Sequence, residues 1–225
     1  MGTAKADKSS WVDTSAQSGT TYRYTVKAVC GSCKSGYKAS NSVLYLKEPK
    51  VTVSNVANGV NVKWTQALQS KGYRVYRSQY NEATGKWSSW KTMGNVKYNK
   101  SSWVDKSAVS GVTYRYTVRS VSGSALSSYT ASNTVKYLET PQLLSAYKTA
   151  EGNVITYQQI DGATGYRIYR KTEDTSWVTI ANVTGNSNIS FIDNEIEEDV
   201  EYTYTVRAFS GSYFSYYNTK GIQCR

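Results

Sequence analysis

The chain repeats itself at one fixed interval, and that confines it to a modular array. Lys8-Ser9-Ser10-Trp11-Val12-Asp13 returns as Lys100-Ser101-Ser102-Trp103-Val104-Asp105, displaced by 92 residues. Thr21-Tyr22-Arg23-Tyr24-Thr25-Val26 returns at the same displacement as Thr113-Tyr114-Arg115-Tyr116-Thr117-Val118. A more divergent third copy runs through Ile189-Ser190-Phe191-Ile192-Asp193 and Glu201-Tyr202-Thr203-Tyr204-Thr205-Val206. Repetition at domain length makes each copy one structural unit. The 225 residues therefore divide into a partial unit over 1–47 and two whole units over 48–139 and 140–225. Each whole unit is long enough to bury its own core.

The repeat also sets the frame of the partial unit. Roughly 30 of the first 47 residues match residues 93–139 one for one, with Met1 falling on Met93. Met1 is thus expected to be an internal methionine, and the sequence a fragment of a longer protein or one whose gene start is placed too late. Residues 1–47 supply only the last three strands of a unit. Such a remnant is predicted to be marginal, frayed or paired with the edge of another copy.

Alternation with period two is the dominant local signal: Tyr22, Tyr24, Val26 and Ala28 share one face, Arg23, Thr25 and Lys27 the other. That is the pattern of a half-buried strand. The second unit read this way gives strands near Val51 to Asn55, Gly59 to Thr65, Gly72 to Ser78, Lys86 to Met93, Ser101 to Asp105, Val112 to Ser120 and Thr130 to Tyr137. About seven short strands separated by turn signals predict an all-β, immunoglobulin-like sandwich. The only two prolines, Pro49 and Pro141, stand where one unit gives way to the next, a position that costs no central ladder bond.

These residues resemble the fibronectin type III family, particularly the tandem copies in surface and secreted proteins of Gram-positive bacteria. Trp64 resembles the family's core tryptophan, replaced by Tyr157 in the third unit. Gly111 to Val118 resembles its sixth strand, and Tyr114 the tyrosine that ties the preceding loop to that strand. Tyr22 and Tyr202 match it in the other copies. With Trp103 these are the expected core aromatics. The resemblance implies tandem seven-stranded sandwiches acting as spacer or binding modules, and it does not by itself name a ligand.

Charge is unevenly spread. Residues 1–47 carry 7 basic and 2 acidic groups (net +5), 48–139 carry 13 and 4 (net +9), and 140–225 carry 7 and 10 (net −3). The basic residues alternate along strands opposite the tyrosines without clustering, the arrangement of a solvated face. No specific nucleic-acid partner is expected from it. The acidic run Asp193 to Asp199 lacks the spacing of a calcium loop and reads as solvated. No run of 18 apolar residues is present, so this segment is not expected to insert into a membrane. With no histidine in the chain there is no imidazole base, triad or metal ligand. No catalytic residue, metal or cofactor is expected.

Three features remain as candidate sites. Cys30-Gly31-Ser32-Cys33 lies in a turn tight enough for a local disulfide, while Cys224 is left over. The same turn differs most between copies and is aromatic in the third, where Tyr213, Phe214 and Tyr216 lie among serines. That composition suits recognition, since tyrosine offers contact area at little entropy cost; the alternative is that these rings pack on the adjoining unit. Trp87 and Trp90 could stack on sugar faces, but their spacing keeps them off one face of a regular strand, leaving Trp90 for the core and Trp87 exposed. The reading is a non-enzymatic stalk or recognition segment of a bacterial extracellular protein, binding an unknown protein or glycan alongside neighbouring modules of a longer chain. Its rivals are an accessory segment of a secreted polysaccharide- or wall-degrading enzyme and a host-binding adhesin.

Overall fold

The structure, a computed structural model, describes residues 2–224; Met1, the methionine expected to be internal, lies outside the described residues. Every regular element among the described residues is a β-strand. Residues 1–47 contribute four short ones: Thr20–Tyr22 (β1), Val29–Cys30 (β2), Cys33–Lys34 (β3) and Val43–Tyr45 (β4). β1 pairs with β4, and β2 with β3, all antiparallel.

The next stretch builds Val51–Val56 (β5), Gly59–Trp64 (β6), Gly72–Asn81 (β7), Lys86–Trp87 (β8), Lys91–Lys97 (β9), Ser102–Asp105 (β10), Thr113–Ser122 (β11), Ala125–Leu126 (β12) and Val135–Lys136 (β13). One sheet has the order β5-β6-β10; the other runs β9-β7-β11-β13, with β8 and β12 extending its hairpins. The inward faces of both sheets meet in one core, Val60, Val62 and Trp64 from β6 against Tyr73, Val75, Tyr114, Tyr116 and Val118. Two antiparallel sheets of three and four strands in this order are the fibronectin type III sandwich.

The same plan follows in Leu143–Thr149 (β14), Gly152–Tyr157 (β15), Gly165–Lys171 (β16), Val178–Thr184 (β17), Ser190–Asp193 (β18), Thr203–Ser210 (β19), Tyr213–Phe214 (β20) and Ile222–Gln223 (β21). Its sheets are β14-β15-β18 and β17-β16-β19-β21, with β20 on the end of β19. Tyr157 takes the place of the tryptophan without loosening the core. It is fully buried and packs on Tyr166 at 4.8 Å between ring centroids, as Trp64 packs on Tyr73 at 5.4 Å. Its hydroxyl also donates to the Asn188 carbonyl, 3.1 Å away.

The tyrosine ties implied by the resemblance are present in all three copies. The tyrosine hydroxyl accepts a backbone N–H from five residues upstream: Gln17 to Tyr22 (2.8 Å), Val109 to Tyr114 (3.1 Å) and Glu197 to Tyr202 (3.2 Å). Tyr114 and Tyr202 are buried, but Tyr22, expected in a core, is only half-buried. No strand in residues 2–47 supplies the second sheet against which it would pack. Trp103 likewise lies at the core margin, partly buried against it.

Two strands differ from the periodicity. The last strand of the second unit shortens to β13 because the Ser132 hydroxyl replaces a ladder carbonyl, accepting the Tyr116 N–H while the Ser132 N–H bonds the Tyr116 carbonyl. The predicted strand from Lys86 to Met93 is interrupted at Ser88–Trp90, where Ser88 bonds both Ser78 and Gln79 through its backbone and side chain.

Candidate functional site

The interruption at Ser88–Trp90 overturns the expectation that Trp87 and Trp90 face apart. Strand geometry no longer fixes their sides, and both half-buried rings close on one cation. The Arg115 guanidinium, projecting from β11, stands 4.4 Å from the Trp87 ring centre and 5.1 Å from that of Trp90. Trp90 meets Tyr129 edge-on at 5.8 Å, and Arg119 covers Tyr129 at 5.5 Å. Trp90 is therefore part of a surface ladder of alternating rings and guanidinium groups rather than of the core. Each contact of this kind contributes about 0.5–1 kcal/mol at an exposed site.

The outer part of this ladder recurs in every copy. Lys27 lies over Tyr37 (4.6 Å), Arg119 over Tyr129, and Arg207 over Tyr217 (5.8 Å). In the third unit Phe214 sits beneath both Arg167 (4.5 Å) and Arg207 (5.2 Å), and Tyr216 stacks on Tyr217 at 5.4 Å. Tyr213 and Phe214 of this aromatic turn reach the preceding sandwich. The Tyr213 hydroxyl is 2.7 Å from Thr134 Oγ1, and the Phe214 carbonyl accepts from Asn55 Nδ2 at 2.9 Å. Of the three residues proposed for recognition, only Tyr213 bonds the neighbour through its side chain, Phe214 doing so through its backbone carbonyl and Tyr216 showing no such bond among the described residues.

The cysteine turn is a two-residue hairpin with Cys30 and Cys33 directly opposed across β2 and β3. Both thiols are exposed and free. Cys224 instead packs as an apolar side chain in the third unit's core, where burial pushes its thiol pKa up.

Sequence reasoning missed a buried charge cluster that bridges the two sheets. Asp105, at the end of β10, accepts from Arg77 Nη1 on β7 and from the Tyr116 hydroxyl on β11, each at 2.8 Å. Ser107 completes it with bonds from its backbone N–H and its hydroxyl. The third unit repeats the arrangement with Asp193, Arg170 and Tyr204. Burial would raise the Asp105 pKa, but the Ser107 and Tyr116 hydrogen bonds and the Arg77 charge outweigh it and hold the carboxyl below its ordinary value. Burial, followed by the neighbouring carboxylate, pushes the Tyr116 hydroxyl far upward. The signal was in the repeat, which returns Asp105 as Asp193 and Arg77 as Arg170. In residues 2–47 Asp13 bonds Tyr24 and Ser15, with no arginine in this role.

The grooves on this surface are open and shallow. One of about 290 Å³ lies beside Tyr80 and Glu82, and one of about 350 Å³ lies between Lys106 and Gln142. Among the described residues no three Asp, Glu, Cys or His side chains gather as a metal site.

No family model matches this chain. No curated protein matches it either. Among solved structures, it is similar to a two fibronectin type-III domain segment from chicken tenascin, at 14% identity and a TM-score of 0.37, over 79% of this chain and 97% of that one. The FN1-FN3 domains of chicken CNTN1 match at 13% identity and a TM-score of 0.36, over 92% of this chain and 75% of that one. The strand order and the three tyrosine ties define the fold.

Proposed function

We propose that this chain is a non-enzymatic run of spacer and binding modules from a bacterial extracellular or cell-surface protein. The observation that carries this reading is the repeated sandwich whose buried ionisable groups are committed to its own structure. Asp105 and Asp193 are enclosed and bonded to Arg77 and Arg170 across the sheets. A carboxylate so held cannot reach a substrate proton. The opposed Cys30 and Cys33 support an oxidising location, in which a bridge would form. Intact-mass measurement of native material would then show the loss of two hydrogens.

The Trp87–Arg115–Trp90 ladder favours a second reading, an accessory segment that contacts glycan for a secreted polysaccharide- or wall-degrading enzyme. Indole faces suit the apolar faces of sugars, and the guanidinium between them offers hydrogen-bond donors at the ring edge. Co-sedimentation of the full chain with cell-wall polysaccharide and insoluble glycans tests both readings. Binding lost in Trp87→Ala places the contact on this ladder. Binding retained there but lost when Tyr213, Phe214 and Tyr216 become serine places it on the aromatic turn, as a host-binding adhesin requires. Release of reducing sugar by the chain alone would overturn the non-enzymatic reading.

A further inference from the structure

The two junctions between successive units are built from the same atoms, although one of them follows a unit whose front strands are absent from this chain. At the first junction the Ser18 hydroxyl donates to the Leu68 carbonyl of the following sandwich (2.8 Å) and accepts the Lys47 N–H (3.0 Å). At the second, the Ser110 hydroxyl donates to the Asp161 carbonyl (2.8 Å) and accepts the Glu139 N–H (3.1 Å). One side chain thus joins three segments: the loop before a sixth strand, the connecting chain, and the loop after the next unit's second strand.

The glycine after each serine is pressed against the same place on the neighbour. Gly19 and Gly111 have φ of 82° and 83°, and each accepts no side chain there. A Cβ on Gly19 would fall 2.2 Å from Gln69 Cβ, and one on Gly162 would fall 2.1 Å from the Gly111 Cα. Gln69 (φ 61°) and Gly162 (φ 77°) are counterparts, both in the left-handed region that turns the loop carbonyl toward the serine. The connecting chain is anchored as well. Leu46 and Leu138 are buried, and Leu138 packs inside the core of the unit that follows it. The Asn55 and Tyr213 bonds add two further ties across the second junction.

We propose that Ser-Gly of one unit and the left-handed residue of the next form a latch that fixes successive modules at one angle, making the array a stiff strut. This rests on the reading of the chain as a module array. Linked domains move relative to one another by default unless the interface between them is large and hydrophobic. Here the junction is held by close backbone contact, by a hydroxyl with both its donor and acceptor capacity used, and by Leu138 buried in the core of the following unit. The third unit departs from the pattern: Glu198 and Asp199 stand where the serine and glycine would be. A carboxylate has no proton to donate to a loop carbonyl, so this pole does not offer the same latch to a module.

Residual dipolar couplings of the full chain test the proposal. The amides of 48–139 and 140–225 are expected to share one alignment tensor. In Gly162→Val the shared tensor should be lost while each unit keeps its own dispersed spectrum. Ser110→Ala, which removes only a hydroxyl and leaves every backbone conformation accessible, should weaken the sharing in the same direction. Two unrelated tensors in the unmodified chain, or one common tensor in both variants, would overturn the latch. Either result would leave the non-enzymatic reading standing, since that falls only to the hydrolysis assay.

Discussion

Residues 8–26 and 100–118 differ at few positions, yet the structure treats them differently. Val118 is fully buried while its counterpart Val26 is 85% exposed, and further along the same repeat Tyr137 is 4% exposed against 38% for Tyr45. The ten-residue strand Thr113–Ser122 shrinks to the three residues of Thr20–Tyr22. What separates the two regions is the cover that β5, β6 and β7 provide in one and that nothing among residues 2–47 provides in the other. Burying a side chain such as valine contributes about 1.5–3 kcal/mol, and that term is forfeited where no partner strand lies opposite. Alternation in sequence therefore supplies a face for burial, whereas the burial itself comes from strands about 30 to 70 positions away. The tyrosine tie survives in both regions because it is local, spanning five residues.

The largest effect should come from supplying the missing cover. Fusing a second copy of residues 48–92 ahead of Met1 is expected to slow amide exchange of Thr21–Val26 by about a thousandfold, toward that of Thr113–Val118. Unchanged exchange would show that sequence differences, not missing strands, expose the first region.

Next in size is the buried carboxylate. Asp105→Asn leaves the Arg77 charge enclosed without its partner and should lower stability of that sandwich by about 3 kcal/mol in thermal or denaturant unfolding. Asp13→Asn, at the half-buried counterpart that has no arginine partner, should leave the unfolding curve where it was. Equal losses at both sites would mean that the Arg77 bridge contributes nothing beyond the local Ser and Tyr bonds.

Acid should reveal the same contrast more gently. Because the folded Asp105 carboxyl lies below its unfolded value, its contribution is fully present above about pH 5 and is lost as pH falls through the folded pKa. Stability of the second unit should therefore fall more between pH 5 and pH 2 in the native sequence than in Asp105→Asn, as read from acid unfolding profiles. Parallel acid profiles would remove Asp105 from the account. The smallest effect is expected at the tie itself. Tyr114→Phe strands the Val109 N–H and should cost about 1 kcal/mol, whereas Tyr22→Phe should shift only local exchange near Gln17.

Much of the sandwich was legible because strand signals and turn residues act over a few positions. The strands from Val51, Gly59 and Gly72 start where the alternation places them, and the repeat carried that reading to the third unit. The candidate sites were legible only as compositions. A regular strand puts Trp87 and Trp90 on opposite sides, and the Ser88 hydroxyl and backbone bonds break that regularity. The aromatic turn was visible as a cluster, but the sandwich it reaches, through Thr134 and Asn55 of the preceding unit, lies outside the turn's own sequence.

The repeat, the all-β class and the absence of any imidazole chemistry follow from residue type and spacing in the sequence, whereas the tyrosine ties are what its resemblance to the fibronectin type III family implies. Tertiary structure alone decided that Asp105 meets Arg77, that Arg115 lies between two tryptophans, and that Ser110 reaches Asp161. Those partners are brought together by sheets closing on each other and modules docking end to end. Such contacts depend on where distant backbone arrives, which no local pattern of side chains encodes.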